Sequence, residues 1–443
     1  MMWVGEGYRN EVNERMEKFF DLTKHKTNFK TELIAGLTSF FAAIYIIVVN
    51  ASILSDGGVS QEPLIIGTVL ASFVGCLLVA FISNTPLIVM PGMGINALFS
   101  YTIILNMNLS FNQALASVTM AGILFLIVAS TKLAKLLDKS IPHSLKESIT
   151  IGIGLFITFL GLQKSGLVIQ DSSTMIKIAS LSNPRVLFFI VILLITLFLF
   201  IKNIPGAFLI SIIIGTVGAI TLGFVDVSNI SFNMPNFSEY NSIFMKLDFS
   251  AIFTTNFWIA TFALSLILIF ENIGLLHGQV GGLLGAPEKQ GKALIAIAIS
   301  NITCGLLGTS PSVSTVEGTA GIATGGRTGL TSIITAILIL VSLLFIPFIG
   351  LIPDEAIAPI LIILGSLMIK SISSIDFNDI SEAIPAFLVI VLIPLTFSII
   401  DGIAFGFISY PLIKIFANKR KEISKTMYVI SLIFILYYII TSI

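Results

Sequence analysis

The chain has 443 residues, of which 56% are hydrophobic and only 11% charged, and its formal net charge at pH 7 is zero. A soluble domain carries about 25% charged residues, so this composition, with a mean hydropathy of +1.02, reads as an all-α integral membrane protein and speaks against nucleic acid as a partner. Two cysteines, Cys76 and Cys304, lie inside apolar runs. They are too few for a disulfide framework or a metal site and read as small packing residues.

Residues 1–32 are polar, hold six Lys/Arg and read as a cytoplasmic N-terminal segment. No signal peptide is read there, because the first apolar run starts at Leu33 and reads as uncleaved. Within this segment "NEVNERMEKFFDLTKH" predicts a short amphipathic helix on the membrane surface. Apolar runs suited to a hydrocarbon core of roughly 30 Å then follow at 33–54, 64–82, 86–106, 112–131, 146–163, 185–201 and 204–224. A polar stretch, 225–250, reads as an extracellular loop. Seven more runs follow at 252–276, 291–307, 309–325, 330–350, 355–370, 380–398 and 400–417, and a last one at 427–441 lies in an extra segment, 418–443.

Basic residues orient these spans. With a cytoplasmic N-terminus and every run crossing, 20 of the 24 Lys/Arg fall inside, and only Lys164, Lys177, Arg185 and Lys246 fall outside. That asymmetry is the expected one. Reading 309–325 as a loop would invert everything after it, so this Ser/Thr-rich stretch is predicted to cross the membrane.

The two halves, 33–224 and 251–417, resemble each other. "SNTPLIVMPGMGINALFS" (83–100) and "GTSPSVSTVEGTAGIATG" (308–325) both place a small residue before Pro, at Pro86 and Pro311. "SIPHSLKESITIGIGLFITFLG" (140–161) and "LIPDEAIAPILIILGSLMIKS" (351–371) share an Ile-Pro start. Seven spans per half is an odd number, so the second copy is inverted, as in many secondary transporters. Gly and Pro interrupt the third and tenth spans. Such breaks are tolerated at membrane depth only when buried in protein or lining a cavity, and half-helix N-termini there would bring partial positive charge to a shared centre.

Few side chains in these runs carry chemistry. Glu317 is a carboxylate at bilayer depth, hence a functional candidate by default. Glu271, in "SLILIFENIGLLHGQVGG", is a second. Asn96 offers both donor and acceptor to a ligand, and Thr315 and Gly94 lie two residues from Glu317 and Asn96. Asn50 and Asn272 suit packing or capping as well as ligand contact. His277 reads as interfacial and Asp401 as a helix cap. There are three histidines, no H-E-x-x-H and no Walker A motif, so neither enzymatic chemistry nor a cofactor is expected. "GGRTG" (325–329) reads as a helix-to-helix turn.

At "TELIAGLTSFFAAIYIIVVNASIL", "MPGMGINALFSY", "GTSPSVSTVEGTAGIATGGRTGL" and "SIIDGIAFGFISY" the chain resembles the hypoxanthine/guanine/adenine permeases, the AzgA-like branch of the nucleobase transporter superfamily. The resemblance runs from about Phe19 to Tyr410. It implies a seven-plus-seven inverted repeat with a core domain (spans one to four and eight to eleven) and a gate domain. It implies short strands in spans three and ten, a homodimer through the gate, and proton-coupled purine uptake across the cell membrane by an elevator-like motion. Glu317 matches the family's purine-binding Glu and Asn96 its third-span Asn. The eighth-span pattern Asp-x-x-Asp-x-x-Gly-Thr reads here "LIFENIGL", with Leu268 for the first Asp, Glu271 for the second and Leu275 for the Thr. Glu271 and Glu317 are therefore the candidates for proton coupling, and Phe99 or Phe270 for stacking on the base. The alternatives are another small solute on the same fold (a pyrimidine, xanthine or an anion) and a channel.

Overall fold

A computed structural model describes residues 19–226 and 236–442. Most of the expected surface helix over 10–25, with Arg9, Arg15 and Lys18, lies outside the described residues, as do residues 227–235 of the 225–250 loop.

Long apolar runs become helices because lipid offers the backbone no hydrogen bonds. Among the described residues, nine helices are long and apolar enough to cross a membrane, and shorter apolar helices cover Met93–Asn106, Ala207–Thr221, Ile380–Thr396 and Lys425–Ile440. The first span is two helices, Phe29–Ala43 and Tyr45–Ser55, meeting at Ile44. The third and tenth are broken as expected. Strand β1 (Val89–Pro91) leads into Met93–Ala97 and a π-helical stretch, Leu98–Asn106. In the tenth, a second three-residue strand, Ser312–Ser314, leads into the short helix Gly318–Ala323.

Two elements were not anticipated. The stretch between spans five and six holds a hairpin, β2 (Val168–Asp171) and β3 (Met175–Ile178), paired antiparallel. The Lys177 ammonium 2.7 Å away, with the Ser173 and Thr174 hydroxyls, holds the Asp171 carboxyl well below the usual carboxylate range. The stretch between spans four and five holds a short helix, Leu133–Ser140. The strand in the tenth span is therefore β4 in chain order.

Packing repeats with an offset of seven spans. The fourth span packs on the ninth, and the second on the eleventh; the fourth packs on the eighth, and the first on the eleventh. Likewise the fifth packs on the thirteenth and the sixth on the twelfth, while six–seven matches thirteen–fourteen. Adding or subtracting seven turns each pair into its mate. Spans two and nine, five and twelve, and β1 and β4 pair with their own counterparts. This is the seven-plus-seven inverted repeat. Spans one to four and eight to eleven form the core; five to seven and twelve to fourteen form the gate.

Close approach inside the core requires missing side chains. A Cβ on Gly122 in span four would lie 2.7 Å from the Ile302 amide nitrogen in span nine, and one on Gly329 in span eleven would lie 2.5 Å from the Ala80 carbonyl in span two. These two contacts are exchanged by the same offset, and small residues at crossings are how membrane helices approach each other.

Buried charge is paired. Glu32, fully buried at the start of span one, accepts from the Arg327 amide (2.9 Å), the Thr331 amide (3.1 Å) and the Thr331 hydroxyl (2.5 Å). It thereby fastens the 325–329 turn, with Thr328 capping the following helix. Lys414 in span fourteen, 1% exposed, meets Glu382 at 2.6 Å and Glu422 at 2.5 Å. Asp401 is not a cap: Ser398 caps that helix, and the Asp401 carboxylate accepts from Tyr438 of the last helix at 2.7 Å. At one end of the bundle, core and gate are tied together. Lys164 of span five pairs with Asp56 after span one at 2.9 Å, and the Ile399 amide of span fourteen donates to Thr102 of span three at 3.1 Å.

Candidate functional site

The two breaks meet. β1 and β4 run antiparallel, Val89 opposite Ser314, Met90 opposite Val313 and Pro91 opposite Ser312. The ladder extends beyond both ends, through Thr315 N–H to Ile88 C=O at 3.0 Å and Gly92 N–H to Pro311 C=O at 3.4 Å. Antiparallel bonding alternates, so residues 88, 90 and 92 point their amides at the partner strand and Pro91 points its nitrogen away. Proline, which has no N–H, is tolerated only at such a position.

A two-stranded ribbon has two open edges, and side chains from neighbouring spans close them. Asn301 of span nine takes the Ser312 amide on its oxygen at 2.9 Å and gives its amino group to the Ser312 carbonyl at 2.8 Å. Asn272 of span eight accepts from the Ser314 amide at 3.0 Å. Gln279 donates to the Thr315 carbonyl at 2.7 Å and accepts from the Ser314 hydroxyl at 2.6 Å. On the β1 side the Val89 amide points at the Cys76 sulfur, 3.4 Å away. Cys304 likewise touches the Ser312 hydroxyl at 3.1 Å. Both cysteines are free and buried, but they contact polar groups of the ribbon rather than only filling space.

Asn96, fully buried in the half-helix after β1, accepts from Ser310 Oγ at 2.7 Å. Ser310 precedes β4, so this bond joins the two breaks again. Asn50 faces the same hydroxyl at 3.2 Å and donates to Thr68 (2.7 Å) and Thr309 (3.1 Å). It is therefore part of the scaffold behind the ribbon.

Glu317 follows the ribbon directly, at the start of Gly318–Ala323, and is half-buried. The hydroxyl of Tyr45, a buried residue of span one, donates to its Oε1. Glu32 and Glu317 thus differ in kind. The first is fully enclosed and bonded on both oxygens; the second is partly exposed and accepts from Tyr45 on Oε1. Thr315 is buried, with its amide and carbonyl both used by the ribbon.

The other candidates have contacts of their own. Glu271 is half-buried on span eight, next to the Asn272 that holds β4. Leu268 is fully buried, and its carbonyl accepts from Asn272 at 2.8 Å. Phe99 is fully buried, edge-on to Phe111 at 5.3 Å. Phe270 is half-buried with the Lys146 ammonium 5.4 Å from its ring centre. Gly94 stands where span three meets span five: a Cβ there would lie 2.5 Å from Ile153 Cγ2. His277 is exposed. Glu317, Thr315 and Asn96 thus surround the ribbon, while Phe99 and Gly94 take part in packing. Among the described residues no group of three or more His, Cys, Asp or Glu gathers as a metal site.

Sequence reasoning passed over Tyr45, Ser310, Gln279 and Asn301. Two had a visible signal: Tyr45 in "FFAAIYIIVVN" and Asn301 in "ALIAIAISNITCGLL" are polar groups inside otherwise apolar stretches.

Residues 30–405 match the Permease family. The chain is 44% identical over 387 residues to the nucleobase transporter PlAzg2 of Paenibacillus larvae, covering 87% of this chain and 78% of that protein. It is 36% identical to the guanine/hypoxanthine permease PbuO of Bacillus subtilis, covering 94% and 98%. It is 32% identical to the adenine permease AdeP of Escherichia coli, covering 95% of each. Among solved structures, the transmembrane domain of the cyanobacterial bicarbonate transporter BicA superposes with a TM-score of 0.65 at 21% identity, covering 84% of this chain and 97% of that one. SLC26A9 superposes with a TM-score of 0.63 at 11% identity, covering 87% and 65%. At these identities the structural likeness is one of fold.

The edge-closing role of Asn301 gives a test. Asn301→Leu keeps the branched shape of the side chain but orphans the Ser312 amide and carbonyl in an apolar interior, at about 1–3 kcal/mol for each group. The thermal unfolding midpoint of the purified protein in detergent is expected to fall clearly. An unchanged midpoint would mean that the ribbon does not depend on this side chain.

Proposed function

The chain belongs to the Permease family that it matches over residues 30–405, and from that premise we propose that it imports purine nucleobases together with protons. One observation carries the proposal: Glu317 is a carboxylate beside the crossing strands that stays partly exposed, with Tyr45 donating to its Oε1. An acceptor of this kind suits the N–H edge of a neutral base. The relatives' printed names (nucleobase transporter, guanine/hypoxanthine permease, adenine permease) support a purine.

In this reading Glu317 accepts purine N–H groups. Asn96, whose amino group has only the Met93 sulfur at 4.0 Å, reads a ring nitrogen or carbonyl. The first amides of the helix starting at Met93 have no partner within it and add donors beside Asn96. Phe270 is the stacking ring ahead of Phe99, which is enclosed against Phe111. The core carries the site and moves against the gate, which forms the contact of a homodimer. The repeats are 33–224 and 251–417, with the N-terminus cytoplasmic and the 225–250 loop outside.

Uptake into proteoliposomes under an inward proton gradient tests the whole reading. Labelled hypoxanthine should accumulate and be competed by other purines but not by bicarbonate. Competition by pyrimidines alone, or an absence of accumulation, would overturn it. Glu317→Gln should insert and fold but lose binding about tenfold to a hundredfold, the value of one charge-assisted hydrogen bond of roughly 1.5–3 kcal/mol. Calorimetry giving wild-type affinity would remove Glu317 from the site.

Glu271 is the second half of the proposal. With Leu268 apolar and buried, Glu271 is the eighth-span carboxylate left for a proton, and its link to the site runs through the neighbouring Asn272 and β4. Glu271→Gln should abolish proton-driven accumulation while leaving base counterflow measurable. Normal accumulation would leave coupling to Glu317 alone.

Orientation has its own test. Ser238, exposed in the described part of the polar loop, replaced by cysteine should react with an impermeant maleimide on intact cells. Reaction only after permeabilisation would reverse the topology.

A further inference from the structure

We propose that Tyr45 is a positioning residue that presents Glu317 to the substrate and makes that presentation depend on where the core stands against the gate. The inference rests on the reading of Glu317 as the substrate carboxylate. Tyr45 is 1% exposed and opens the second helix of span one. Its hydroxyl donates to Glu317 Oε1. Its ring meets Phe208 edge-on, with centroids 4.9 Å apart and planes at 67°. Phe208 is in span seven and stacks on Phe200 of span six at 5.6 Å with planes 9° apart. One tyrosine therefore touches the candidate binding group with its polar tip and, with its ring, the nearer of two stacked gate rings.

The chemistry follows from both contacts. A carboxylate offers about four lone-pair sites on two oxygens. Tyr45 takes one of them on Oε1, and lone pairs remain for substrate N–H groups. Without that bond the Glu317 side chain is free to turn, and binding would have to meet the cost of ordering it. A buried phenol also needs an acceptor, so Tyr45 and Glu317 hold each other. Edge-to-face rings attract over centroid separations of about 4.5–7 Å. A displacement of the core by a few ångströms takes Tyr45 off Phe208, and its hydroxyl then has a different hold on Glu317. Substrate affinity and domain position are thereby linked through a residue that reaches across the domain boundary.

The test uses the purified full-length protein, with the base that the wild type takes up as probe. Tyr45→Phe keeps the ring on Phe208 and removes the donor. It should weaken the Kd about tenfold, the cost of ordering one carboxylate side chain, with the maximal exchange rate within about twofold of wild type. Phe208→Leu leaves the hydroxyl in place. It should keep the Kd within about twofold and lower the maximal exchange rate about two- to tenfold, the range of one aromatic pair. Tyr45→Phe combined with Glu317→Gln should bind no more weakly than Glu317→Gln alone, because a residue acting through another is not additive with it.

Wild-type affinity in Tyr45→Phe, or full additivity in the double variant, would overturn the role of Tyr45 while leaving Glu317 in the site. Wild-type affinity in Glu317→Gln would instead remove the reading on which the inference stands. If Tyr45→Phe does not give monodisperse protein, Phe208→Leu decides alone, and an unchanged exchange rate would overturn the proposal.

Discussion

Everything in the core is arranged around one difficulty: three residues of extended backbone from each half lie among helices that cross a bilayer. Extended backbone cannot bond within itself, and hydrocarbon offers no substitute. The two segments solve half of the problem by pairing, since an inverted repeat brings them together antiparallel. The other half, the outer edges, is solved by Asn301, Asn272, Gln279 and the Cys76 sulfur. These polar side chains in apolar spans are consequences of the ribbon. A half-satisfied network of this sort would be worse than an apolar one, which is why so many partners converge on so few residues.

The same arrangement explains how one carboxylate is left available. Glu32 and Glu317 are both in the core, and both sit near the ends of broken or turning segments. Glu32 is consumed by Arg327 and Thr331 and serves as a fastener between span one and the turn before span eleven. Glu317 comes just after the ribbon, where the backbone has already been paired, and its carboxylate accepts from Tyr45 on Oε1. A group that the protein leaves partly unbonded is one that a ligand can bond. The ribbon and Asn96–Ser310 hold the surroundings of that carboxylate still, so a ligand bound there as proposed would meet a site that needs little ordering.

Glycine gives the core its closeness, and ion pairs and rings give the gate its attachments. Gly122 and Gly329 let backbones touch at crossings related by the repeat. Between the domains, besides the close approach of Ile153 to Gly94, the contacts are Lys164 with Asp56, Ile399 with Thr102 and Tyr45 with Phe208. Single bonds and ring edges are cheaper to part than interlocked backbones. The proposed motion of the core would part this boundary between core and gate.

The sequence by itself determined the membrane class, the order of the spans, the two breaks and the identity of Glu317 as the unusual group. Each of these is a local property: a run long enough to cross, a Pro-Gly interruption, a carboxylate where water is scarce. It placed the repeat too, because the offset between Pro86 and Pro311 is visible along the chain. It missed the hairpin of β2 and β3 and the helix Leu133–Ser140, whose mixed polar residues leave no apolar run to notice. Only the tertiary structure decided the register of β1 against β4, the capping of Ser312 by Asn301, and the enclosure of Phe99 by Phe111. Only it brought Tyr45 to Glu317, 272 residues further along the chain. The physical reason is the same in every case. Membrane spanning and helix formation are set by neighbours in sequence, whereas burial and a hydrogen-bond partner across a bundle are set by how the helices pack. Two polar groups far apart in a chain carry no mark of each other until that packing has been made.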